Sequence, residues 1–242
     1  MVVGLTVTVL GCSGSYPGPG GACSGYLVRG VGTTLWLDAG SGSMANLQRH
    51  VSLNDVDAVV LSHEHPDHWS DLEGFRVACT YVIDHLGVPV YAPEGLREKV
   101  SDDTEPAFAW HVVGDGDGTD IGGLSVRFSR TDHPPETLAV RVDGEGRSLV
   151  YTADTGPEWS MSVLGPDIDL ALSEATYLAD GEGTAGHLSA RQAGAMARQA
   201  GVARLVITHV WPTVDLEAVR AEAEPAYGRP VELAELHRTY NI

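Results

Sequence analysis

The chain alternates short apolar, β-branched runs with polar, glycine-rich breaks. Such runs fall at Leu5–Leu10, Gly25–Arg29, Thr33–Asp38, Ala58–Ser62, Val88–Tyr91, Leu124–Arg130, Thr137–Asp143, Ser148–Ala153, Leu170–Ser173 and Arg204–Thr208. Each reads as a β-strand, because branched side chains suit a pleated surface and Gly, Asp or Pro bounds most of the runs. Between some of them the period changes. Over Asp71–Leu86 the apolar residues Leu72, Phe75, Val77, Ala78, Tyr81, Val82 and Leu86 recur at helical spacing. Ala190–Ala200 predicts a second helix, opened by Ser189 as N-cap and closed by Gly201. Leu216–Ala226 predicts a third, with Asp215 as its cap. Gly114–Gly123 (GDGDGTDIGG) reads as a flexible surface loop, and Gly144–Gly146 as a tight turn. Strands, a helix and more strands fill the first half, and the second half repeats that order. The pattern predicts an α/β protein with a two-sheet core and helices outside, as one domain over 1–242.

Composition narrows the partners. The chain has 242 residues, enough for one substantial core, and 43% of them are apolar, an ordinary globular share. There are 33 acidic and 15 basic residues, a formal charge of −18. That balance repels polyanions, and no Lys/Arg cluster offsets it, so DNA and structured RNA are not expected partners. A small anionic substrate stays open, because bound cations would set the local field. The three cysteines, Cys12, Cys23 and Cys79, do not form a disulfide framework. No apolar run approaches the roughly 20 residues of a membrane span, and MVVGLTVTVL runs into a strand pattern without a charged leader. A cytoplasmic protein that does not bind membranes is the expectation.

The chemistry gathers where strands end. In DAVVLSHEHPDHWSDL, Ala58–Leu61 lead directly into His63, His65, Asp67 and His68. Four groups able to bind a divalent cation within six residues exceed what a solvated loop needs. His63 and His65, two apart, can turn toward one point; Asp67 and His68 can reach a second point nearby. His nitrogen and carboxylate oxygen are the donors that zinc and similar ions favour. The segment is not the HExxH helix signature, since Asp67 stands where the second His would be. Downstream, His133, Asp154 and His209 each follow another predicted strand. Alone, His133 or His209 reads equally well as a buried structural histidine. The repeated strand-end placement favours seven ligands, enough for two metal ions if one carboxylate bridges them.

HEHPDH resembles the HxHxDH motif of the metallo-β-lactamase superfamily, and His133, Asp154 and His209 follow in the order of its later ligands. Asp38, in LWLDAGSG, is similar to the acidic residue of its first motif, which supports the site without binding metal. The resemblance runs from Leu5 to about Trp211 and implies an αβ/βα four-layer sandwich with the metals at one edge. It implies one metal on His63, His65 and His133, another on Asp67, His68 and His209, and Asp154 between them. Zn²⁺ is the default ion, with Mn²⁺ and Fe²⁺ also suited to the donors. Asp154 sets the chain apart from the true β-lactamases, which carry Cys at that step. His65 sets it apart from the flavodiiron proteins, which carry an acid there.

SEATYLADGEGTAGHLSARQ resembles the ribonuclease Z branch. Glu174-Ala175-Thr176 keeps part of that branch's His-Glu-Ala-Thr stretch, and His187 stands in place of its second histidine. The resemblance gives His187 the role of proton donor to the leaving group, with Glu174 orienting it and Asp67 orienting or deprotonating the water. As a plain sequence feature, His187 reads as a surface residue before a helix. The interval from His133 to Asp154 reads as two strands with a tight turn, where ribonuclease Z carries its tRNA-gripping arm. VTVLGCSGSYPGPGGACSGYLV and YTADTG resemble the small atypical class II cyclic-nucleotide phosphodiesterases. The expected function is therefore a dinuclear phosphodiesterase that cleaves a small cyclic nucleotide through a hydroxide shared by two metals. The alternatives are a hydrolase of another ester, thioester or lactone, a ribonuclease Z-like nuclease without the arm, and a metal-binding regulatory protein. Relatives of this kind are commonly dimers, so a homodimer is expected. The loop Gly11–Gly21 either borders the site or is an ordinary turn. Cys12 and Cys23 beside it read as small buried residues before redox sensors. Trp211 either lines the pocket or packs beneath it. His50, His85, His111 and His237 read as structural or solvated.

Overall fold

Near-continuous apolar runs along the strands put apolar side chains on both faces of each sheet, and that calls for cover on both sides. The structure, a computed structural model, describes residues 4–100, 107–184 and 186–242. The first half holds β1 (Thr6–Gly11), β2 (Gly25–Gly30), β3 (Thr33–Ala39), α1 (Ser43–Leu47), β4 (Ala58–Val60), α2 (Leu72–Tyr81), β5 (Val88–Ala92), α3 (Leu96–Lys99) and β6 (Phe108–Val112). The second half holds β7 (Gly118–Ile121), β8 (Leu124–Arg130), β9 (Leu138–Gly144), β10 (Arg147–Tyr151), β11 (Leu170–Glu174), α4 (Ala190–Gln199), β12 (Arg204–Thr208), α5 (Leu216–Tyr227), β13 (Glu232–Leu233) and β14 (Thr239–Asn241). Among the described residues these strands form two seven-stranded sheets, ordered β14-β1-β2-β3-β4-β5-β6 and β13-β12-β11-β10-β9-β8-β7. Antiparallel pairing gives way to parallel pairing between β3 and β4 in one sheet and between β10 and β11 in the other. The halves thus repeat one topology.

The sheets pack face to face. Leu35 and Leu37 of β3, Val7 and Val9 of β1, Val140 and Val142 of β9, and Leu170 and Leu172 of β11 share the central core. Burying a side chain of this size stabilises by about 1.5–3 kcal/mol. The intervening residues face outward into two further cores. Trp36, Leu27 and Val59 meet Phe75 and Cys79 of α2. Ala171, Leu205 and Ile207 meet Ala193 and Ala197 of α4 and Val219 and Ala223 of α5. The result is the αβ/βα four-layer sandwich.

Local chemistry sets the helix ends. Ser189 Oγ accepts from Gln192 N at 3.1 Å while Gln192 Oε1 accepts from Ser189 N at 2.9 Å, a reciprocal cap two residues after His187 that starts α4 at Ala190. Two expectations need correction. The first predicted helix stops at Tyr81, not Leu86: His85 N bonds back to Cys79 O, and Asp84 and Gly87 take left-handed backbone angles. The apolar spacing continues past the helix end, but Val82 is 75% exposed and has no core to face. The Gly114–Gly123 stretch is not all loop, since β7 runs from Gly118 to Ile121 and pairs with β8. Glycines in a strand weaken the pattern without preventing the pairing.

One turn fixes the site's floor. At Gly40, just past β3, a Cβ would lie 1.9 Å from the carbonyl oxygen of Asp67. Only glycine lets the two segments touch. Gly40→Ala is expected to lower unfolding stability by at least ~2 kcal/mol, because the added carbon meets backbone and not a flexible side chain. A denaturant midpoint unchanged from the parent protein would show that this contact constrains nothing.

Candidate metal centre

The ligand-bearing residues stand just beyond the C-terminal ends of β4, β8, β10 and β12, all at one edge of the sandwich. The chain turns sharply there. Asp38, Ala153 and His209 have φ of 55°, 51° and 53°, in the left-handed region. Each such non-glycine residue costs roughly 1–2 kcal/mol.

The seven candidate ligands converge in two groups. In the first, His65 Nδ1 lies 3.0 Å from His63 Nε2 and 3.2 Å from His133 Nε2. Asp154 Oδ2 stands 3.5 and 3.9 Å from those two Nε2 atoms. In the second, His209 Nε2 lies 3.3 Å from His68 Nε2 and 3.3 Å from Asp67 Oδ2. Asp154 Oδ1 is 3.3 Å from both of those imidazole nitrogens. Asp154 therefore turns one oxygen to each group.

These distances fit metal coordination. Four donors about 2.0–2.2 Å from a tetrahedral centre stand roughly 3.3–3.6 Å from one another. Four of the five outer ring nitrogens are already engaged. His68 Nδ1 meets Asp38 Oδ2 at 2.7 Å, His133 Nδ1 meets Gly186 O at 2.7 Å, His63 Nδ1 meets Ser62 Oγ at 3.0 Å, and His209 Nδ1 meets Thr176 Oγ1 at 3.1 Å. Protons held on those outer atoms leave the inner nitrogens as lone pairs, facing one another and two carboxylates. Asp154 Oδ1 is buried without a hydrogen-bond partner. Acceptors aimed at acceptors in a dry site are what a divalent cation satisfies.

The carboxylates that would face a cation also act on the imidazoles themselves. Burial opposes charge on His68, yet Asp154, Asp67 and Asp38 surround it and raise its pKa well above the ordinary value. Burial and the neighbouring His68 push His63 down to about 4. Burial, with His133 beside it, also lowers His65. Burial would raise Asp67 and Asp154, but the imidazoles around them hold both below the usual carboxylate range, with His68 foremost for Asp67 and His209 for Asp154.

His187 and Glu174 meet at the same edge. Glu174 is fully buried at the end of β11, and His187 Nδ1 lies 2.9 Å from its Oε1. Asp154 Oδ2 is 4.0 Å from the same nitrogen. The His187 ring stacks beside His209, with centroids 5.7 Å apart. Burial works against the charged imidazole, but the bond to Glu174 and its charge outweigh it and raise His187 to about 9.

The glycine-rich loop borders the centre. Ser15 N donates to Asp67 Oδ2 at 2.9 Å, and a Cβ on Gly14 would meet His209 O at 2.7 Å. Trp211 sits at the rim, its Nε1 donating to Ser15 Oγ at 3.0 Å and its ring edge-on to Tyr177. Cys12 and Cys23 are raised by burial to about 11 and 12, which keeps both thiols protonated and inert. The other histidines lie elsewhere. His50 pairs with His237 at 3.0 Å, His85 contacts Val56 O, and His111 stacks on Tyr91. Sequence reasoning missed Ser62, Tyr151 and the Gly186 carbonyl. A single hydroxyl, or a backbone oxygen, carries no spacing signal.

The geometry predicts selective metal loss. His63→Ala removes one of the three imidazoles of the first group, and metal content after dialysis, read by elemental analysis, should fall by at least one ion per chain. A variant that keeps the parent's full complement would remove His63 from the ligand set.

Among the described residues, no helix is long and apolar enough to cross a membrane. Residues 33–210 match the family model for the beta-lactamase superfamily domain. The Mycobacterium tuberculosis protein Rv1339 is 34% identical over 259 residues, spanning 100% of this chain and 93% of its own. The probable metallo-hydrolase YhfI of Bacillus subtilis is 32% identical over 240 residues, spanning 95% and 97%. Its crystal structure, a metallo-beta-lactamase fold, superposes with a TM-score of 0.89 at 29% identity, over 98% and 99% of the two chains. Ribonuclease Z of Mycobacterium avium is 30% identical over 276 residues, spanning 97% of each. With its paired sheets, a His/Asp centre suited to divalent cations and these matches, the chain belongs to the beta-lactamase superfamily, as a metal-dependent hydrolase of the metallo-β-lactamase fold.

Proposed function

We propose that the protein hydrolyses a small phosphodiester, a cyclic nucleotide of the 3′,5′-cyclic AMP type. The observation that carries this reading is the His187–Glu174 pair, held 2.9 Å apart beside the two ligand groups. A proton donor at that place is what an alkoxide leaving group needs; a thiolate would leave without one. Protonated up to a pKa of about 9, His187 carries that proton at neutral pH, and Glu174 takes its Nδ1–H, leaving Nε2–H for the departing ribose oxygen.

His63, His65 and His133 would hold one divalent ion, Asp67, His68 and His209 the other, and Asp154 both. Ions bound there, Zn²⁺ first and Mn²⁺ or Fe²⁺ as compatible choices, would supply activated water at neutral pH and offset charge on the phosphoryl oxygens. Asp67, fixed by the Ser15 N–H, would orient or deprotonate that water. Trp211, partly exposed at the rim and backed edge-on by the buried Tyr177, would give a base an aromatic surface to rest on.

Two features around the site support a small substrate. Between His133 and Asp154 the chain makes β9, β10 and a turn at Glu145 and Gly146, so that interval offers no arm to grip folded RNA. The net charge of −18 likewise disfavours a polyanion. The ribonuclease Z similarity supports phosphodiester chemistry, and the short interval supports a small diester.

Metal-loaded protein should hydrolyse 3′,5′-cyclic AMP, with the metal-deficient His63→Ala variant as blank. His187→Ala should lower turnover by about 10²–10⁴-fold while metal content stays at the parent level. Full metal loading without turnover of the diester would overturn the substrate reading. Undiminished turnover in His187→Ala would take that residue out of the mechanism.

A further inference from the structure

Thr176 has no part in the reaction as described so far, yet its hydroxyl sits between the two halves of the site. Thr176 Oγ1 lies 2.8 Å from Glu174 Oε2 and 3.1 Å from His209 Nδ1, and all three groups are buried. A hydroxyl has one proton to give. Glu174 receives hydrogen bonds on both oxygens, from Thr155 N and His187 Nδ1 on Oε1 and from Thr176 N on Oε2. With donors on every side it is the acceptor throughout, and it takes the Thr176 proton as well. The hydroxyl oxygen then has only a lone pair for His209, so His209 Nδ1 must be the donor. That choice fixes the tautomer. His209 Nε2 becomes a lone pair aimed at Asp67 Oδ2 and Asp154 Oδ1, both 3.3 Å away.

We infer that Thr176 is a positioning residue that sets the tautomer of His209 for the Asp67/His68/His209 metal and ties that ligand to the carboxylate holding the proton donor. The inference rests on the metal-ligand reading of His209, not on the identity of the diester. The other three outer-nitrogen contacts belong to other residues: Ser62 for His63, Asp38 for His68 and Gly186 for His133. Loss of the Thr176 hydroxyl therefore strikes one ligand group and spares the other. A partner of this kind is typically worth 10–100-fold in metal affinity.

The test is a Zn²⁺ titration against a chromophoric chelator for the parent, Thr176→Val and Thr176→Ser, with circular dichroism to verify folding. The valine variant keeps the shape and loses the hydroxyl. It should bind one ion per chain as the parent does and the second about 10–100-fold more weakly. The serine variant keeps the hydroxyl and should restore both steps. Two parental binding steps in Thr176→Val would overturn the inference. So would equal weakening of both steps, or a serine variant as impaired as the valine one. Should the parent fail to cleave cyclic AMP, the substrate proposal falls while these titrations still decide the role of Thr176.

Discussion

One buried carboxylate holds the site to the fold. Asp38, at the end of β3, accepts from Ser62 N at 2.7 Å, Ser62 Oγ at 2.8 Å, His68 Nδ1 at 2.7 Å and Tyr151 OH at 2.8 Å. Those partners lie on the segment after β4, on the ligand-bearing turn and on β10 of the opposite sheet. A single side chain thus ties both sheets to the His63–His68 segment. Charge-assisted bonds to a carboxylate are the strong kind, and breaking a buried charged pair costs about 3–5 kcal/mol. Burial and the charge of Asp38 raise Tyr151 well above its ordinary range, so its hydroxyl stays a donor. The left-handed backbone at Asp38 is strain that this network over-determines.

The same logic recurs around the centre. Each group of candidate ligands is held from behind by an element of known placement, and Asp154 faces both groups through its two oxygens. His187 is fixed from both directions. The carbonyl of Gly186, its neighbour in the chain, accepts from His133, and Glu174 accepts from His187 itself. The reciprocal cap of α4 and the pairing of Tyr177 with Ser189 anchor the segment further. His187 and the candidate ligands therefore share one rigid edge, as precise chemistry requires.

Much of this was legible in the sequence because burial on both faces leaves near-continuous apolar strands, and because all seven candidate ligands lie at strand ends or in one dense motif. His63, His65, Asp67 and His68 announce themselves by density, while His133, Asp154 and His209 announce themselves by position. The edge strands were not legible. β6 exposes residues on both faces, β7 is interrupted by polar residues, and β14 has three residues, so none shows a clear period. The helix after Asp71 read too long because apolar spacing persists where the chain has already turned. Whether Gly11–Gly21 touches the site could not be read from a glycine-rich composition, and the contacts of Gly14 and Ser15 answer it. Thr176 lay inside a recognised stretch, but its role depends on a bond across 33 residues.

The most direct test of the two-ion account is anomalous scattering from crystals of the metal-loaded protein. The account predicts two peaks roughly 3.5–4 Å apart. One peak should be ligated by His63 Nε2, His65 Nδ1 and His133 Nε2, the other by Asp67, His68 and His209, with Asp154 between them. A single peak, or two peaks that do not share Asp154, would contradict it.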